Sequence, residues 1–459
     1  MKKIAIFIFV LFIPFFVFAQ ENSSDLENEL FGGDEDTLIS AEEASSENKS
    51  GLKFKADLEK ATLSLESKKL RIGGSLSSSM GIDYAWVDPY SKKDDYLKSF
   101  KAGKGSFNTT LNGSLFFDAR PNEDLKLYGK FLFGFPFEKI LSVQGVPNIK
   151  IQELYTDFSA KDIAFFRFGK HAVKWGTGYF YSPADVINIS RIDPQDPTAD
   201  REGGISLRTH IIIPKTQHNI WLYLLPPGQG EDFDPKYTAG AAKGEFVVGN
   251  WELGFGGWYK YEKAPRLITT VSGSIAGKVA VFGEGVFAWG SDYTYYKADM
   301  SPYTEKSKPF FQATIGGSYS NADTNTSIAL QYFYNGFGYS NTDASTSILE
   351  KAEDPVSLSD ASFRKKLQNV LAMGNRGQHY IALNISQNKL GTDKLSLNLF
   401  QQFAISELEG FSKLTLNWKI YKFASMSTGP SFSYPLSPNS KTKGEVRYSL
   451  SFRLGGGTF

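Results

Sequence analysis

The chain of 459 residues has four histidines, His171, His210, His218 and His379. Imidazole is the usual proton carrier in hydrolysis at neutral pH, acting beside a serine, cysteine or aspartate. None of the four has a Ser or Asp partner at a familiar spacing, although triad members need not be close in sequence. There is no Gly-x-Ser-x-Gly elbow, no His-Glu-x-x-His and no phosphate-cradling glycine loop. Cysteine is absent, which removes thiol nucleophiles, zinc-cysteine sites and disulfides together. The reading is a non-enzyme with no assigned catalytic, cofactor-binding or metal residue.

A second set of chemically capable residues lies in "WGTGYFYSPADVINISRIDPQDPTAD" and just beyond it. Asp185, Asp193, Asp196 and Asp200 stand there with Arg191 and Arg201. Carboxylates at that density offer the oxygen ligands a calcium ion takes. If the segment folds into a water-filled lumen, the same charges would form a constriction. The bland alternative is structural, with glycines turning the chain, Trp175 anchoring at a membrane interface and Pro183 ending a strand ladder. All three remain open at this point.

The elements that would carry these residues are strands. In "KLRIGGSLSSSMGIDYAWV" Leu70, Ile72, Leu76, Met80, Ile82 and Trp86 alternate with polar positions. "LKLYGKFLFGFPF" sets Leu125, Leu127, Phe131, Phe133 and Phe135 against Lys126, Tyr128 and Lys130. "WELGFGGWYKY" sets Trp251, Leu253, Phe255 and Tyr259 against Glu252, Trp258 and Lys260. Period two is the signature of a strand with one greasy and one wet side. The strands run about 10–14 residues, matching a tilted transmembrane strand and exceeding the usual sandwich strand. Aromatics fall at the ends of the apolar faces, with Phe117, Trp251 and Trp418 at one end and Trp86, Tyr261 and Trp289 at the other. That is where bilayer interfaces hold amphipathic rings.

Short connections such as Gly249-Asn250, Ala276-Gly277 and Tyr421-Lys422 alternate with long polar ones near 88–104, 138–148, 175–202, 290–308 and 338–377. The expectation is an all-β, antiparallel transmembrane barrel of about 18 strands, 14 or 16 being alternatives, with short periplasmic turns and long extracellular loops. Closure follows because an open edge in lipid would leave backbone groups unpaired.

The chain opens with "MKKIAIFIFVLFIPFFVFAQ", two lysines, an apolar core and small Ala19. This reads as residues 1–19 of a secretory leader, cut after Ala19, with no cysteine there for a lipid anchor. Residues 20–68 begin acidic and read as a flexible periplasmic extension before the barrel of 69–459. A net charge of +1 and a pI of 7.7 carry no nucleic-acid footprint. The mean hydropathy is −0.27, and after the leader no apolar run is long enough for a membrane helix.

Glu153, Tyr155, Asp157, Gly169, Lys170, Trp175-Gly176, Pro183, Asp185 and Asn188 together resemble a strand-to-loop motif of porin-like and uncharacterised outer-membrane barrels of Gram-negative bacteria. "QYFYNGFGYS" (331–340) is similar to another strand-to-loop join in such barrels. The resemblance covers residues 150–205. It implies a pore in the outer membrane, with outer-membrane lipid and small solutes as partners. The last strand, "EVRYSLSFRLGGGTF", resembles the signal read by the barrel-assembly machinery through a terminal phenylalanine, here Phe459, which three glycines shift out of the even register.

On this register the lumen carries Lys126, Lys130, Arg208, Lys260, Lys278, Lys413, Lys419, Arg447 and Arg453 against Asp118, Glu245, Glu252 and Glu284. Basic rings favour anions. The expected constriction and lumen residues are Lys126, Lys130, Arg208, Lys260, Arg447, Arg453, Asp185, Arg191, Asp193 and Asp196. The expected interface anchors are Trp86, Trp175, Trp251, Trp289 and Trp418. The function this implies is passive diffusion of small hydrophilic solutes. The alternatives are a fatty-acid-type transporter with residues 20–68 as a hatch, or a filled surface or adhesion barrel. A plug-bearing active importer fits less well, because its plug far exceeds that segment. No oligomer interface is legible.

Overall fold

The computed structural model describes residues 70–87, 103–122, 124–136, 148–160, 163–227, 234–352, 354–437 and 444–458. The leader, the 20–68 extension and Phe459 lie outside them. The described residues form β1 (Leu70–Val87), β2 (Lys104–Asn122), β3 (Leu125–Pro136), β4 (Asn148–Ala160), β5 (Ala164–Lys170), β6 (Ile205–Ile212), β7 (Asn219–Leu225), β8 (Ala239–Val248), β9 (Trp251–Tyr259) and β10 (Arg266–Ile275). They continue with β11 (Val279–Trp289), β12 (Thr294–Tyr296), β13 (Pro302–Thr304), β14 (Pro309–Asn321) and β15 (Thr326–Asn335). Three helices follow, α1 (Asp343–Lys351), α2 (Pro355–Ser359) and α3 (Ala361–Met373). The chain ends with β16 (His379–Gln387), β17 (Leu395–Ala404), β18 (Glu409–Tyr421), β19 (Ala424–Pro435) and β20 (Glu445–Thr458).

Strands β1–β11 and β14–β20 pair antiparallel with their neighbours in sequence, and β20 returns to β1. Eighteen strands therefore close into one barrel, as the alternation predicts. Closure leaves the sheet no free edge strand, which a barrel in lipid requires. The β1–β20 seam runs from Val87↔Glu445 to Ser75↔Thr458, with a one-residue shift between Ser75 and Ser77. Gly455 sits at that shift with φ +84°, and a Cβ there would lie 2.4 Å from the Leu76 carbonyl oxygen. The glycine run thus absorbs one residue and exchanges the facing of odd and even positions beyond it.

Period two sorts the side chains. Ile82, Leu267 and Ile315 are 55%, 65% and 62% exposed on the outer face. A continuous apolar outer belt of this kind needs an apolar solvent. The turns at one end are tight. Ile275 accepts from Lys278 N–H across Ala276 (φ +52°) and Gly277 (φ +64°), the two left-handed central residues that suit the twist of a hairpin. Lys278, expected on the lumen wall, belongs to this turn. The other end carries the long loops.

Two of those loops are folded. Loop 290–308 contains the β12–β13 hairpin, and loop 336–378 contains the three helices. Ile348, Phe363 and Val370 pack on Tyr296 of the hairpin. Asp354 and Asp360 cap α2 and α3 by accepting from backbone N–H groups, and Gly374 ends α3 with φ +67°. From the sequence this stretch reads as a long polar loop. Its helices were legible in the Asp caps and in the spacing of Phe363, Leu367, Val370 and Met373.

Candidate functional site

Loop 171–204 leaves β5 at Lys170 and turns into the barrel. Gly169 makes the departure possible: its φ is +133°, and a Cβ would lie 2.2 Å from the Leu154 carbonyl oxygen. The first part of the loop then crosses the inner wall. Its polar backbone has no ladder to join, so side chains on the wall strands supply partners.

Glu284 on β11 is the main one. Its carboxylate accepts from Thr177 N–H (2.5 Å), Gly178 N–H (2.6 Å), Ala184 N–H (2.8 Å) and Ser182 Oγ (2.9 Å). Glu284 is only 5% exposed and has no ion-pair partner among the described residues, so loop donors hold its charge. A Cβ on Gly176 would fall 2.4 Å from Glu284 Oε1, so glycine lets the loop reach the carboxylate. Gln331 on β15 repeats the device with a neutral group. Its Oε1 accepts from Tyr179 N–H (3.1 Å) and Phe180 N–H (2.7 Å), and its Nε2 donates to the Tyr181 carbonyl (2.6 Å). Gln402 on β17 donates to the Tyr181 hydroxyl at 2.8 Å, and Lys243 on β8 donates to the Trp175 carbonyl at 3.0 Å.

Two apolar clusters fill the space between loop and wall. Val173, Trp175, Ala184 and Ile187 pack on Tyr223, Ala241, Ile268 and Val286. Phe180 and Tyr181 pack on Ala329, Phe333, Tyr380, Ala382 and Phe400. Trp175 meets Tyr223 edge-on at 5.1 Å, and Tyr181 stacks on Phe333 at 5.1 Å. Trp175 is 1% exposed, so the structure corrects its assignment as an interface anchor. The glycines on either side let the chain fold inward before the indole can reach the rim. Trp289 and Trp418 lie exposed on the outer face, and Trp86 and Trp251 are half-buried on it.

The expected charged ring does not assemble. Asp185 is held by Asn188 at 2.9 Å and paired with Arg201, so its carboxylate is buried inside the loop under a half-buried guanidinium. Arg191 reaches across to the end of α3, donating to the Met373 carbonyl (2.5 Å) and to the Tyr293 hydroxyl (2.7 Å). Asp193 and Asp196 cap their own turns through Gln195 N–H and Thr198 Oγ1. Short carboxylates in Asp-Pro-rich turns find local donors first, so they are spent before reaching any shared centre. No group of three or more His, Asp or Glu able to hold a metal ion occurs among the described residues.

The returning part of the loop is tied to the wall near its root. Lys130 pairs with Asp200 at 2.7 Å, and Glu202 accepts from Lys150 (2.6 Å) and Lys170 (2.7 Å). Those two ammonium groups hold the Glu202 carboxyl below its ordinary value. Lys126 lies over the Tyr128 and Tyr155 rings, and Arg208 lies over Trp221. Lys260 falls one residue past β9, in the connection to β10.

The histidines serve the wall. His171 is fully buried with Nδ1 3.1 Å from the Gly169 carbonyl, and His210 stacks on Trp221 at 3.8 Å. His218 accepts from Val247 N–H, and His379 pairs with the Tyr332 hydroxyl.

The bonds that hold the loop to the wall go to β3, β4, β5, β8, β11, β15 and β17. On the inner faces of β18, β20 and β1, by contrast, Lys413, Lys419, Arg447, Arg453 and Arg71 are exposed. Around them the inward positions are small and polar, including Ser425, Ser427, Ser431, Ser449, Ser451 and Ser79. The alternation in "EVRYSLSFRLGGGTF" already turns Ser449 and Ser451 inward beside Arg447 and Arg453, whereas the serines of β19 and Arg71 are not singled out by the sequence reading. For β19 the signal was Ser at alternate positions in "ASMSTGPSFSYP".

No protein-family model matches the chain, and no curated protein matches its sequence. Among solved structures the chain is similar to Pseudomonas aeruginosa OccK8 (OprE), at 8% identity and a TM-score of 0.47, over 84% of this chain and 98% of that one. It is similar to Pseudomonas aeruginosa OpdQ at 8% identity and a TM-score of 0.47, over 84% and 97% of the two chains. The likeness to Salmonella typhi OmpF, in a complex with daunomycin, has 9% identity and a TM-score of 0.40, over 83% and 97%.

Proposed function

We propose that this barrel is an outer-membrane porin-like channel for passive diffusion of small hydrophilic solutes, reached by export through a cleaved leader. The observation that carries the reading is the division of the lumen. One side of the wall is occupied by loop 171–204, fixed by Glu284 and Gln331, while the arc of β18–β20 and β1 keeps exposed cations among small polar side chains. A loop held that firmly sets a permanent constriction, and the polar arc beside it lets water and solute pass. The Trp-Gly and Pro-x-Asp motif then acts as the inward turn of that constriction.

Polar residues along the arc argue against a greasy track for fatty acids. Lys413 and Lys419, with Arg453 beside them on the arc, make the passage basic and favour anions over cations. The test is swelling of liposomes containing the purified protein in sugars of increasing size. Rates that fall smoothly with solute size, without saturation, support the channel. Liposomes that fail to swell even in a pentose would point to a filled barrel with a surface role.

A further inference from the structure

The exposed arc has an internal order that a general diffusion pore does not require. Lys413 on β18 lies level with Ser431 on β19, which lies level with Arg447 on β20. Six residues along the same strands, Lys419, Ser425 and Arg453 form a second row of the same composition. Each row places its two cations two strand spacings apart, about 10 Å. Six residues at about 3.3 Å each separate the rows by about 20 Å along the strands, or about 15 Å along an axis tilted roughly 40° from them.

Between the rows the inward positions are uncharged donors and acceptors. Asn417, Ser427 and Ser451 form one level across three strands, and Ser449 lies next to it on β20. Ser427 Oγ donates to Asn417 Oδ1 at 2.7 Å. The side chains of Ser449 and Ser451 have no hydrogen-bond partner among the described residues. Of the row cations, Arg447 is paired with Glu445 at 3.0 Å and Arg453 donates to Ser77 Oγ at 3.3 Å. Lys413 and Lys419 have no ion-pair partner among the described residues.

We propose that this arc is a binding zone for small polyhydroxylated anions, the carboxylate or phosphate resting on a basic row and the hydroxyls on the serine–asparagine zone. The inference rests on the channel reading and deepens it. Two separated rows give an anion an entry and an exit position, so binding assists passage instead of stopping it. Serine hydroxyls and amides both donate and accept, as a polyol does, so each water that leaves the zone is replaced group for group. A smaller anion with an apolar tail breaks the same water bonds and replaces none of them. The preference among anions should therefore invert their order of size.

The experiment is the zero-current potential of the full protein in planar bilayers, with potassium gluconate, glucose 6-phosphate or propionate set against potassium chloride. Gluconate or glucose 6-phosphate more permeant than propionate supports the proposal, and their relative values tell whether carboxylate or phosphate is preferred. In Ser427→Ala/Ser451→Ala the ratio of gluconate to propionate is expected to fall about threefold or more, the weight of roughly one net hydrogen bond. Propionate ahead of both larger anions, with the double variant unchanged, overturns the proposal and leaves the channel standing. Absence of chloride conductance in the parent protein would remove the channel and this zone together.

Discussion

Glu284 is the residue whose loss tests the fixed constriction most sharply. Replacing it with alanine removes the acceptor of three backbone N–H groups and one hydroxyl, at Thr177, Gly178, Ala184 and Ser182. A buried donor left without a partner costs about 1–3 kcal/mol, and the three amides together set an upper range of about 3–9 kcal/mol. Water from the lumen can reach some of them, which brings the expected penalty to about 3–4 kcal/mol. Each 1.4 kcal/mol is about a tenfold change in an equilibrium, so opening of segment 176–184 should become roughly 100- to 1,000-fold more frequent. The assay is amide hydrogen exchange of the peptide spanning that segment, with the wall strands as internal reference. The barrel ladder should keep its protection while the loop amides lose theirs. Glu284→Gln keeps the shape but offers an N–H to Ala184 where an oxygen stood, so its effect should fall between the parent and alanine. Unchanged protection in Glu284→Ala would refute the reasoning and mean that Gln331 and the aromatic clusters hold the loop alone.

The remaining expectations follow from other contacts of the same loop and arc. Trp175→Ala should loosen the loop by about 3–5 kcal/mol through the cavity it leaves against Tyr223, Ile268 and Val286, read as exchange in residues 171–188. Glu202 is held below its ordinary value of 4.5 by Lys150 and Lys170, so its tether is at full strength above that value and is lost as pH falls through the lower folded value. Protection near residue 202, taken relative to the intrinsic exchange rate at each pH, should therefore stay constant from neutral pH down to about 5 and fall only in stronger acid. Lys413→Glu/Lys419→Glu should move the zero-current potential in a potassium chloride gradient toward potassium, because it reverses two exposed lumen charges.

The barrel was legible because its cause is local. Alternation through Leu76, Met80 and Ile82, or through Leu414, Leu416 and Trp418, follows directly from the strand period, and the tight turn at Ala276-Gly277 fixes register. The loop was legible only as a set of possibilities. Trp175 beside glycines fits an interface anchor as well as a buried core, and the choice is made by Glu284 and Gln331, more than a hundred residues away. Asp185, Asp193 and Asp196 suggested a shared site because charge density can be read from sequence. Their pairing with Arg201 and with their own turns depends on backbone geometry that spacing does not encode. The inward serines of β20 follow from its alternation, but those of β19 carry no charge to count, and the arc emerges only when β18, β19 and β20 are set side by side.

The central claim is that solvent passes between the pinned loop and the polar arc. Single-channel recording of the purified protein in a planar bilayer, with and without residues 20–68, tests it most directly. The account predicts stable, ohmic steps of similar size in both forms. Silence in both would contradict it, and steps seen only after the deletion would make residues 20–68 a hatch that closes the passage.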